Sequence, residues 1–65
     1  MDKVLSLEAY TLLSVINMKL RNNYKSLADL CEDMNIDTQA LESKLLSIGY
    51  IYQADNNQFI STEAV

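Results

Sequence analysis

The stretch Ser26–Tyr50, SLADLCEDMNIDTQALESKLLSIGY, decides the fold. Ser26 opens it as a helix N-cap, with Asp29 placed to reach back in the looser form of a capping box. Leu27, Leu30, Cys31 and Met34 follow at i, i+3, i+4 and i+7, one face of a helix, while Asp29, Glu32 and Asp33 point to water. Asn35 ends this helix, because asparagine tolerates the left-handed conformation that a helix stop often requires. Ile36 then enters the core, and Asp37 caps a third helix whose stripe is Leu41, Leu45 and Ile48, flanked by Ala40 and Leu46. Gly49 stands where a Schellman-type stop needs glycine, with Tyr50 placed to fold back on the last turn. The pattern is that of a helix-turn-helix.

Working outward, the segment before it, SLEAYTLLSVINMKLRNNY, predicts a first helix over 7–22. Ser6 is its expected N-cap, Glu8 falls in the first turn, and Lys19 and Arg21 complement the dipole at the other end. Steps of about 100° per residue give a broad apolar face of Ala9, Leu12, Leu13, Ile16 and Leu20, with Tyr24 at its edge. A second side carries Leu7, Tyr10, Val15 and Met18 among Thr11, Ser14 and Arg21. A helix apolar on two sides must be covered twice. After Gly49 the period changes: YIYQADNNQFI places β-favouring residues on both sides of the turn-rich ADNN. The expected elements are helices over 7–22, 27–34 and 38–48, a hairpin over 50–60 and a frayed tail over 61–65. The expected fold class is mainly α, a three-helix, winged-helix-like domain with a small C-terminal β-hairpin, formed by residues 1–65 as one domain.

Length and composition narrow the functions. A 65-residue chain buries only about 60% of the surface its unfolded form exposes, so stability is marginal without help. Cys31 is the only cysteine and there is no histidine, which excludes an internal disulfide and gives no structural zinc site. Packing or oligomerisation remains. Glu8 interrupts the apolar N-terminal run, which has neither a basic opening nor a cleavage site; no membrane segment or leader is expected, and the expected address is the cytoplasm. Catalysis is not expected: the usual general base is missing, and Cys31 lies on an apolar stripe where a thiol is normally inert core. The single glycine excludes a glycine-rich phosphate loop, and Glu32, Asp33 and Asp37 lack calcium-loop spacing. No cofactor and no metal are expected.

The residues LLSVINMKLR, SLADLC, KLLSIGYIY and NNQF, spread from Leu12 to Phe59, resemble a family of short bacterial proteins catalogued as a domain of unknown function. The combination NMKLR, SLxxLC, IGYxY and NQF is the distinctive part. The resemblance implies a bacterial, cytoplasmic small protein and supplies no catalytic residues.

Charge argues against DNA as the partner of the helix-turn-helix. The stretch Ser26–Tyr50 carries the acids Asp29, Glu32, Asp33, Asp37 and Glu42 against one base, Lys44, in a chain of net charge −4. Affinity for nucleic acid comes largely from cations neutralising phosphates. Each close like-charge contact costs on the order of 1 kcal/mol even in water. Gln39 and Lys44 are the only base-reading candidates on the third helix besides Thr38 and Ser43. One basic cluster exists, Lys19, Arg21 and Lys25; it fits a phosphate patch, a complement to the helix dipole, or an attraction for the acidic second helix of another copy. Tyr10, Tyr24, Tyr50, Tyr52 and Phe59 fit core packing better than base stacking. Two functional readings stand. The first is a non-catalytic protein-interaction module, a homodimer or the docking site of a protein partner, using Leu7, Tyr10, Val15 and Met18. The alternative is a winged-helix regulator or accessory subunit contacting nucleic acid. In the first reading the apolar side is covered by a second copy; otherwise the hairpin, through Tyr52 and Phe59, folds back over it.

Overall fold

The chain leaves its first turn in an extended conformation, and that fixes where the first helix begins. A computed structural model describes residues 4–64, of which Val4–Ser6 form a 3-10 turn. Helix α1 spans Ala9–Asn22, and its N-cap is Glu8, not Ser6. The Glu8 carboxylate accepts hydrogen bonds from the Thr11 N–H at 3.1 Å and the Thr11 hydroxyl at 3.4 Å. The helix therefore starts two residues later than periodicity suggests. Leu7 lies outside it, and both Leu5 and Leu7 pack against the core. Lys44 holds this entry segment by donating to the Leu5 carbonyl at 2.6 Å.

Helix α2 spans Leu27–Met34 and α3 spans Thr38–Leu46. Ser26 caps α2 by accepting from the Asp29 N–H at 3.1 Å, the forward half of the expected box. Asn35 ends α2 at φ 56°, left-handed as its position requires, and Ile36 is 6% exposed behind it. Asp37 caps α3 by accepting from the Gln39 N–H at 3.1 Å. Helix α3 ends at Leu46, two residues short of expectation, because its final turn tightens. Ile48 and Gly49 donate to the carbonyls three residues back, Leu45 at 3.2 Å and Leu46 at 2.8 Å. Gly49 follows at φ 82°.

Strands β1 (Tyr50–Gln53) and β2 (Gln58–Ser61) pair antiparallel with Tyr50 opposite Ser61 and Tyr52 opposite Phe59. Residues 54–57 close the hairpin, with Asn57 left-handed at φ 53°. The expected frayed tail is not frayed over its described part. Ser61 completes β2, and Thr62–Ala64 form a 3-10 turn anchored by the Thr62 N–H on the Gly49 carbonyl at 2.8 Å. Val65 lies outside the described residues.

The three helices and the hairpin close on one cluster: Leu12, Ile16, Leu20, Leu27, Leu30, Cys31, Ile36, Leu41, Leu45 and Phe59. Each helix gives residues three or four apart to this cluster, Leu12, Ile16 and Leu20 from α1, Leu27, Leu30 and Cys31 from α2, and Leu41 and Leu45 from α3, and the hairpin contributes one ring. Leu46, expected to flank the α3 stripe, is 55% exposed instead.

Candidate interaction face

The hairpin is held to α1 by amides as well as by the packing of Phe59 in the core, and it does not lie over Tyr10 and Met18. Asn17 donates to the Phe59 carbonyl at 3.0 Å and accepts from the Phe59 N–H at 2.7 Å, as a neighbouring strand would. Gln58 returns a bond to the Asn17 carbonyl at 2.9 Å. Asn57 bonds the carbonyls of Leu20 and Tyr24 at 3.0 and 2.9 Å, satisfying groups that the end of α1 leaves open. Its other amide atom accepts from the Tyr52 hydroxyl at 2.7 Å, and that hydroxyl accepts from the Leu27 N–H at 3.3 Å. One network therefore ties the hairpin to the end of α1 and the start of α2. The Phe59 and Tyr52 rings meet at 5.6 Å, tilted by 57°, with Phe59 2% exposed.

This docking decides the fate of the second apolar side of the first helix. The rings of Tyr52 and Phe59 go into the core and against it, not over Tyr10 and Met18. Tyr10 is 56% exposed and Met18 51% exposed. The four residues expected to form the face do not act together. Leu7 precedes α1 and packs inward, and Val15 is half-buried. What remains is a ridge along α1 of Tyr10, Ser14 and Met18 at i, i+4 and i+8, all exposed, with Arg21 exposed beyond it. Tyr10, expected both among the core aromatics and on the second side of the helix, is the one aromatic that stays outside the core.

The basic cluster is not one patch. Lys19 is half-buried; Arg21 and Lys25 are exposed. Lys25 shares an open depression with Asn23, Tyr24, Asp29 and Asp33, so carboxylates stand beside it. The Tyr24 hydroxyl donates to Asp33 at 2.5 Å, and this bond, then desolvation and the Asp33 charge, raises the phenol above its ordinary value. On α3, Lys44 is half-buried on the Leu5 carbonyl, leaving Gln39, Ala40, Glu42, Ser43 and Leu46 as the outward residues. Cys31 is a buried free thiol, 4% exposed. Among the described residues no three metal-ligating side chains converge, and no helix is long and apolar enough to cross a membrane.

Residues 6–59 match the family model described as a domain of unknown function, DUF4250, and the chain belongs to that family. The match reaches six residues further toward the N-terminus than the sequence resemblance from Leu12 to Phe59, taking in Leu7 and the Glu8 cap. No curated protein and no solved structure matches the chain.

Proposed function

We propose that the protein is a small, non-catalytic interaction module of the cytoplasm that self-associates through the outer ridge of α1. The observation that carries this reading is the exposure of Tyr10 and Met18 while the hairpin's aromatic rings are spent on the core. Two large apolar side chains on one ridge are a cost to an isolated chain and a contact surface for an associated one. The short chain adds a motive, since association adds stability that a core of this size supplies sparingly. The absence of histidine and the burial of Cys31 support a role without catalysis.

The nucleic-acid alternative loses its supports one at a time. Lys44 is engaged with backbone, Lys25 sits among carboxylates, and the outward side of α3 presents Glu42 with no cation of its own. The test of the proposal is the Tyr10→Glu, Met18→Glu variant against wild type in sedimentation velocity, with circular dichroism as the control for folding. Wild type is expected to sediment as a concentration-dependent dimer and the variant as a folded monomer. A wild-type monomer at all concentrations contradicts the reading.

A further inference from the structure

We draw no further inference here: the strongest candidate, the outer edge of β1 on the side of the hairpin away from β2 and the Asn17 amide that caps it, carries nothing because nothing in the structure shows what covers it.

Discussion

Asn17→Ala should remove much of what holds the hairpin in place. The side chain makes two hydrogen bonds to the backbone of Phe59, a residue 42 positions away, in a partly buried setting. Each bond contributes about 0.5–1.5 kcal/mol net, and losing a shared partner also leaves the Phe59 N–H and carbonyl without their substitute strand. A loss of about 2–3 kcal/mol is expected. Against a total of roughly 3–10 kcal/mol for a domain of this length, that is a large fraction. The assay is urea denaturation followed by circular dichroism, at one fixed low protein concentration so that association does not contribute. The midpoint should fall while the slope stays constant, because the surface exposed on unfolding is unchanged. Asn17→Asp is the sharper variant: it keeps the acceptor for the Phe59 N–H but replaces the donor with charge beside a carbonyl. Its deficit should equal or exceed that of Asn17→Ala near pH 7. The deficit should shrink below about pH 4, where the protonated carboxyl regains a donor. A loss under about 0.5 kcal/mol for Asn17→Ala would refute the reasoning and assign the docking to burial of Phe59 alone.

Gly49→Ala should cost about 1 kcal/mol in the same urea melts. The added Cβ would meet the Thr62 hydroxyl at an unstrained 3.8 Å, so the cost comes from φ 82° and not from a clash. In a tyrosine absorbance titration, one phenol should titrate above the ordinary value of 10, and Tyr24→Phe should abolish that component. Because the folded value is raised, the stability it contributes is complete below pH 10 and is lost as pH climbs through the folded value. Fluorescence anisotropy with random duplex DNA near physiological salt should give no measurable binding, and salt-sensitive micromolar affinity would reopen the nucleic-acid reading.

The local parts of the fold were legible in the sequence because their causes are local. Ser26, Asn35, Asp37 and Gly49 do at their positions what their side chains, or the lack of one, dispose them to do. The core stripes followed from periodicity for the same reason. Helix ends were less legible. Leu7 continues the α1 pattern but is drawn to the core from outside the helix, and α3 closes in a tighter turn that periodicity does not register. The amide network was not read at all. Asn17 is visible as a polar interruption between Ile16 and Met18, but its partner lies on the last strand, and no spacing rule links the two. Asn57 and Gln58 looked like ordinary turn and strand residues. The proposed interaction face was half legible. Tyr10 and Met18 were singled out as apolar residues on the wrong side of the helix. Leu7 continues the spacing of Tyr10 and Met18 in the sequence but precedes α1 and packs inward, and Val15, on the same side of the wheel, is half-buried.

Sedimentation equilibrium of the wild-type chain across about 20, 100 and 500 μM bears most directly on the central claim, since a small two-helix contact implies dissociation on the order of tens of micromolar. The account predicts a weight-average mass rising from near 7.4 kDa toward twice that value over the series, described by a monomer–dimer equilibrium. A mass that stays at 7.4 kDa throughout would contradict it, leaving Tyr10 and Met18 as exposed side chains of a monomer.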